Sequence, residues 1–249
     1  AWFDLSSSAG TGKTTITVKV KPNFGKEDRE VSMKVQGGMS TSAIGIKQTG
    51  RGGSLVLTSN FDGGKTASIS NMDANKLPSV VLGYVDSIAN MKIQKSEISG
   101  GDLAQLKLLS KLKTLNMQNT KLKPSSAQDN LIEEEFILPT GAFKELTGVA
   151  KIALPDTIRV MNDDTFKGCT SLTDAYLPLM VETIGAGTFD GCTSLKDIYI
   201  GNKAVPTIED ATSFEGKNIY VRTGTKGEFL AKYSWLKSDK IFEYDAIKW

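Results

Sequence analysis

The sequence predicts a mixed β/α chain: a partial β-sandwich at the N-terminus, then a solenoid of short repeated strands that ends in a C-terminal cap. Three observations predict it. Apolar residues alternate singly around positions 16–20, 31–35 and 44–46; an eight-residue string recurs after 23 residues; and the chain ends in apolar residues at helical spacing followed by a short apolar strand.

The first element begins at Thr15, where Ile16, Val18 and Val20 alternate with Thr and Lys, the period of a half-buried strand. Pro22-Asn23 turns the chain, and the alternation returns at Val31, Met33 and Val35, breaks at Gly37-Gly38 and recurs at Ile44 and Ile46. An antiparallel meander of three strands is expected. Three strands do not close a sandwich, which usually needs about seven, so the start of this unit is expected to be missing or supplied elsewhere.

The segment resembles the C-terminal part of a BACON domain, a small module of Bacteroidetes surface proteins. The residues that carry the resemblance are the Trp2 start, the Ser8-Ala9-Gly10 turn, Thr15 to Val20, Pro22-Asn23, Arg29, and Ile46-Lys47-Gln48. It implies a partial immunoglobulin-like β-sandwich over 1–50. Residues 51–74, with Gly52-Gly53, Gly63-Gly64 and Leu55-Val56-Leu57, read as a connecting segment.

The repeat lies downstream. Thr165-Phe166-Lys167-Gly168-Cys169-Thr170-Ser171-Leu172 reappears as Thr188-Phe189-Asp190-Gly191-Cys192-Thr193-Ser194-Leu195, and a further step of 23 back from Phe166 reaches Phe143. One interior aromatic is therefore shared by three rungs. An apolar-x-x-apolar-x-apolar set follows each Phe: Val149, Ile152, Leu154; Leu172, Ala175, Leu177; Leu195, Ile198, Ile200. Earlier sets occur at Ile88, Met91, Ile93 and Leu112, Leu115, Met117, with partial ones at Phe136, Leu138 and Ile219, Val221. The last strand position falls at 93, 117, 138, 154, 177, 200 and 221, spacings of 24, 21, 16, 23, 23 and 21. These are leucine-rich repeat lengths except the 16, which reads as a rung that has lost a segment.

Each such coil buries its apolar side chains only between neighbours, so the ends need caps. Phe229, Leu230, Tyr233 and Leu236 at helical spacing, then Ile241-Phe242-Glu243-Tyr244, supply the expected C-terminal one. Residues 75–249 resemble the BspA-like leucine-rich repeats of Bacteroides and Treponema surface proteins. The Ala-Phe-x-x-Cys-x-x-Leu-x-x-Ile-x-Leu-Pro pattern is visible at 142–155 with Leu146 in the Cys position, is clearer at 165–178, and at 188–200 ends in Gly201 rather than Pro. The rungs at 77–140 depart from the pattern. The two resemblances together imply an extracellular or cell-surface location, with lipid anchoring through a removed leader as one form of it.

Composition narrows the chemistry. The chain has 249 residues, 39% of them apolar, and 30 Lys and Arg nearly balance 28 Asp and Glu, so no field recruits nucleic acid or an anionic membrane. No apolar run approaches the roughly 20 residues of a membrane-spanning helix. Histidine is absent, which removes Ser-His-Asp and Cys-His catalysis and imidazole metal sites. No enzyme activity, metal or cofactor is expected.

Three motifs read as structural. Gly12-Lys13-Thr14 has the ending of a phosphate-binding loop, but no strand precedes it and a strand follows where a helix is required, so a hairpin turn is expected. Cys169 and Cys192 occupy equivalent places on adjacent coils at a spacing of about 4.8 Å, which a disulfide tolerates, yet parallel side chains favour two buried thiols. Glu133-Glu134-Glu135 and Asn162-Asp163-Asp164 lack the spacing of a calcium loop and read as solvated turns.

The outward side of the strand column is the candidate ligand-binding site. Tyr176, Tyr199 and Tyr220 each lie between two inward residues of successive rungs, and Asp174 and Asp197 align beside them. Rings beside carboxylates suit a host extracellular protein or a glycan. The expected role is recognition; the alternative is a carbohydrate-capture accessory of a glycan-utilisation system, with the sugar contact in residues 1–70.

Overall fold

A computed structural model describes residues 3–5, 18–20, 29–37, 40–48, 52–60, 64–124 and 134–245, the first four stretches by the path of the backbone. Gly12-Lys13-Thr14, Ser8-Ala9-Gly10, Pro22-Asn23 and Glu133 lie outside the described residues.

Near the N-terminus, β1 (Phe3–Leu5) pairs antiparallel with β2 (Val18–Val20), and β3 (Arg29–Gly37) with β4 (Ser40–Gln48). The expected three-stranded meander is instead two separate two-stranded sheets. Gly37 pairs with Ser40, so β3 and β4 match each other over all nine positions, and β2 takes its partner from the chain's start.

Segment 51–74 does more than connect. It holds β5 (Ser54–Ser59) and β6 (Lys65–Ser70), an antiparallel hairpin that begins the main sheet. From β6 the sheet is parallel through β7 (Ile88–Ile98) and β8 (Thr114–Leu122). Between β6 and β7 lies a short helix α1 (Leu77–Val80), and between β7 and β8 lies α2 (Gly100–Leu106). Helix α2 starts with a capping box in which Ser99 accepts from the Asp102 amide and Asp102 from the Ser99 amide. Buried Asp102 also accepts from the Asn75 and Leu77 amides, which ties α1 to α2.

Past residue 134 the coils change construction. Each one crosses two sheets: a second, parallel sheet of β9 (Ile137–Leu138), β11 (Val160–Met161), β13 (Thr183–Ile184) and β15 (Thr207–Ile208), and the main sheet through β10 (Lys151–Ala153), β12 (Asp174–Leu177), β14 (Asp197–Ile200) and β16 (Asn218–Arg222). A helix α3 (Lys226–Lys232) then leads to β17 (Ile241–Tyr244), the far edge of the nine-stranded sheet.

Leu138 therefore belongs to the second sheet, paired with Met161, and not to the main column. Leu115 pairs directly with Ile152, so the turn between β8 and β10 is the longest, 37 residues between paired positions, rather than one shortened to 16. Both sheets bury every second residue, so a lone Phe-x-Leu alternation does not say which sheet it joins.

The core lies under the main sheet, against α1 and α2 in the first coils and against the second sheet in the later ones. Met91, Leu115, Ile152, Ala175, Ile198 and Ile219 face inward from the main sheet, and Leu138, Met161, Ile184 and Ile208 from the second. Between them runs a ladder of buried rings: Phe143 on Phe166 and Phe166 on Phe189, each at 5.5 Å between centroids, closed by Phe214 edge-on to Phe189.

The repeated string now has a physical reading. The buried Thr165 and Thr188 hydroxyls donate to the carbonyls of Asn162 and Gly185 and close the turn; Phe fills the ladder; Gly168 and Gly191 take left-handed φ of +75° and +70°. Cys169 and Cys192 are free and buried, and each thiol donates to the Phe carbonyl one coil earlier, Cys169 to Phe143 and Cys192 to Phe166. The neighbouring Cys192 sulfur and burial push the Cys169 thiol well above its ordinary range, so it stays a donor. Parallel stacking gives both cysteines this carbonyl partner.

Candidate functional site

Alternation along β12, β14 and β16 sends Asp174 and Tyr176, Asp197 and Tyr199, and Asn218 and Tyr220 to the side away from the core. The parallel register pairs Tyr176 with Tyr199, Tyr199 with Tyr220 and Tyr220 with Phe242. Parallel strands are separated by about 4.8 Å, close to the thickness of stacked rings, so in-register tyrosines have little choice but to stack. The centroids lie 4.3 Å apart for Tyr176 and Tyr199, 4.5 Å for Tyr199 and Tyr220, and 5.2 Å for Tyr220 and Phe242.

Exposure along this column is graded. Tyr176 is 7% exposed, Tyr199 and Tyr220 are half-buried, and Phe242 at the sheet edge is 39% exposed. Tyr176, read from the sequence as an exposed ring, is thus an inner member of the stack, placed between Ala153 and Tyr199 by the register. Tyr244 adds to the cover: its ring stands edge-on to Tyr199 at 5.8 Å, with the Arg222 guanidinium 5.8 Å from its centroid.

Leu179, 42% exposed, borders the column. A Cβ built on Gly201 would clash with Leu179 Cδ2 and lie 3.4 Å from Tyr244 Oη, so the bare glycine lets Leu179 and Tyr244 approach from two directions. The result is an apolar surface of Leu179, Tyr244, Tyr199, Tyr220 and Phe242. Three of these, Leu179, Phe242 and Tyr244, were missed in sequence. For Gly201 the signal was present, as the glycine that replaces the repeat's proline.

Burial, then the Asp174 charge, raises the Tyr176 hydroxyl above its ordinary range, partly offset by its hydrogen bond with Tyr199. Burial raises Tyr199 and Tyr220 in the same direction and pushes Tyr244 up to about 12. The column is a set of neutral rings with hydroxyl donors at neutral pH.

Asp174 and Asp197 are aligned, as the sequence implied, but each already has a partner. Asp174 accepts from Thr173 Oγ1 and pairs with Lys151 Nζ at 3.5 Å; Asp197 accepts from Asn218 Nδ2 at 2.8 Å. They continue a polar ladder that begins with Thr66, Asn90 and Thr114. Their carboxylates border the rings and also stitch strands.

The second acidic cluster is structural. Asp163 accepts from the Ala186 amide, and Asp164 pairs with Lys167 and Lys144. Glu134 and Glu135 are exposed. Among the described residues no group of three or more Cys, Asp or Glu is placed to hold a metal ion, and no helix is long and apolar enough to cross a membrane.

Residues 118–227 match the family model of the BspA type leucine rich repeat region, in six copies. The span begins in β8, ahead of the rungs that display the motif most plainly. No curated protein matches the chain. Among solved structures, the leucine-rich repeat protein of T. pallidum aligns at 15% identity over 59% of this chain and 69% of that one, with a TM-score of 0.27.

Proposed function

We propose that the chain is a recognition protein, secreted or displayed at a cell surface, that binds a host extracellular protein through the aromatic column of its later strands. The observation that carries this reading is the graded stack. Tyr176 is the buried base, Tyr199 and Tyr220 present part of their rings, and Phe242 protrudes beside Leu179. Rings held by their neighbours lose little freedom on binding, which is what an interface anchor requires. Asp174 and Asp197 border the rings as polar contacts.

The BspA-type repeats support a protein-interaction role, since a solenoid offers an extended surface and no enclosed reaction site. The surface location and a BACON-type module over 1–50 belong to the same reading; the nine-residue hairpin of β3 and β4 suits a small β module that presents the solenoid.

The test is a binding panel of extracellular matrix proteins and neutral glycans, run on the full chain and on a Tyr199→Ser, Tyr220→Ser, Phe242→Ser variant checked for its native circular dichroism. Loss of more than about tenfold in affinity for a matrix protein is expected, the scale of a disrupted anchor cluster. Unchanged affinity would sink the proposal. Glycan binding indifferent to the three substitutions would shift the function to carbohydrate capture elsewhere in the chain.

A further inference from the structure

The nine-stranded sheet has two edges built on opposite plans. At one end β17 is four residues long and carries Glu243, a short charged edge of the kind that resists pairing with another chain. At the other end β5 runs Ser54-Leu55-Val56-Leu57-Thr58-Ser59, with no charge, proline or glycine, and pairs with β6 through six successive positions without a bulge. Among the described residues no strand lies beyond it. Val56 is 61% exposed on the face away from the core, between exposed Ser54 and Thr58, while Leu55 and Leu57 turn inward and reach only half-burial against the core.

The free backbone groups of this edge follow from its hairpin. The Asn60 amide donates to the Gly64 carbonyl directly opposite, at 2.8 Å. Bonded and non-bonded pairs alternate along an antiparallel ladder, so Thr58, Val56 and Ser54 also bond to β6, and Leu55, Leu57 and Ser59 point their N–H and C=O groups outward. An incoming antiparallel strand must therefore bond at the leucines and leave Val56 in a non-bonded pair, where side chains come closest.

The edge reads nearly the same in both directions about Val56. Set antiparallel against itself on that centre, it places Leu55 opposite Leu57, Val56 opposite Val56 and Ser54 opposite Thr58. A shift of two residues sets Leu55 against Ser59 or Leu57 against Gly53, and a shift of one turns the core face of one copy toward solvent. We infer that β5 joins β5 of a second copy about a twofold axis through Val56, which extends the sheet across both copies. Leu55 and Leu57 exchange backbone hydrogen bonds with Leu57 and Leu55 of the other copy, the half-buried leucines gain cover, and Val56 is shielded. A contact of this self-complementary kind closes as a dimer. Because the axis stands upright on the sheet, the aromatic columns of the two copies lie on the same face, at its opposite ends.

Sedimentation of the full chain across a concentration series measures the association. The contact is one strand wide, so a dimer with a dissociation constant of about 1–100 µM is expected. Val56→Lys, at an exposed position and checked for native circular dichroism, should weaken it by more than about tenfold, because two ammonium groups then face each other on the axis. Cross-linking reads the register. Val56→Cys should oxidise to a covalent dimer, since facing Cα atoms of a non-bonded pair lie about 4.5 Å apart, within disulfide range. Thr58→Cys should not, because Thr58 faces Ser54 and the two Thr58 positions lie about 13 Å apart. The buried Cys169 and Cys192 take no part. A chain that stays monomeric up to about 0.5 mM, a dimer untouched by Val56→Lys, or equal cross-linking at 56 and 58 overturns the inference. Growth beyond a dimer overturns it too, in favour of open-ended edge pairing.

Discussion

Leu179 occupies the space that Gly201 leaves empty: the two lie on successive coils, and a methyl at 201 would collide with Leu179 Cδ2. Leu179 is exposed and its end is flexible, so Gly201→Ala is expected to swing the leucine aside with a loss in stability below about 1 kcal/mol. The effect on binding should be larger, because the apolar surface beside Tyr244 and Tyr199 is broken. A double-mutant cycle with Leu179→Ala checks it: the binding cost of Gly201→Ala should largely vanish once the leucine is gone. If it persists unchanged, the glycine acts through the backbone instead.

Phe166 has a stacked ring at 5.5 Å on each side, whereas Phe143 has its described stacking partner on one side only. Phe166→Ala should cost about 3–5 kcal/mol, as the ladder cannot close over the gap when coil spacing is fixed by the flanking sheets. Phe143→Ala should cost less. Urea unfolding of both variants gives the order, and equal costs would show that the ladder behaves as separate pockets.

Much of this was legible in the sequence, for reasons particular to the residues. The main column could be read because each strand alternates over several positions and the Thr-Phe-x-Gly-Cys-Thr-Ser-Leu string fixed the period. The second sheet escaped because its strands are two residues long, too short for any alternation to register, and Leu138 was credited to the wrong sheet. The hairpin of β5 and β6 was missed because Val56 is exposed and glycines flank it, which makes an edge look like a linker. The tyrosine register was legible; the burial of Tyr176 was not, because it depends on Tyr199 stacked over it and on Tyr244 arriving from the last strand.

Glu145 stands where later coils have Gly168 and Gly191, and it holds the same left-handed backbone at φ +61°. Its amide donates to the Lys167 carbonyl as the Gly168 amide does to the Asp190 carbonyl, so the turn imposes the conformation whatever the residue. A left-handed residue with a Cβ costs about 1–2 kcal/mol, and glycine's extra freedom in the unfolded chain returns part of that. Glu145→Gly is therefore expected to stabilise the protein by roughly 0.5–1 kcal/mol. Thermal unfolding decides it, and a fall in Tm would mean the exposed Glu145 side chain makes a contribution that outweighs its backbone cost.

Asp156 follows Leu154-Pro155, and burial raises its carboxyl from 3.8 to about 6. Its amide donates to the Gln118 carbonyl and its carbonyl accepts from the Met180 amide, so the backbone is held between coils. The folded state then binds the proton more tightly than the unfolded chain does. The resulting stabilisation is complete below the unfolded value near 3.8 and is lost as pH rises through about 6. With half of the group still open to solvent, the gain between pH 7 and pH 4 should be about 1 kcal/mol rather than the larger figure that the full shift implies. Asp156→Asn should raise stability at pH 7 by a similar amount and flatten this part of the profile. Urea midpoints measured from pH 4 to pH 7 test both, and a wild-type profile that the substitution leaves unaltered would place the titrating group elsewhere.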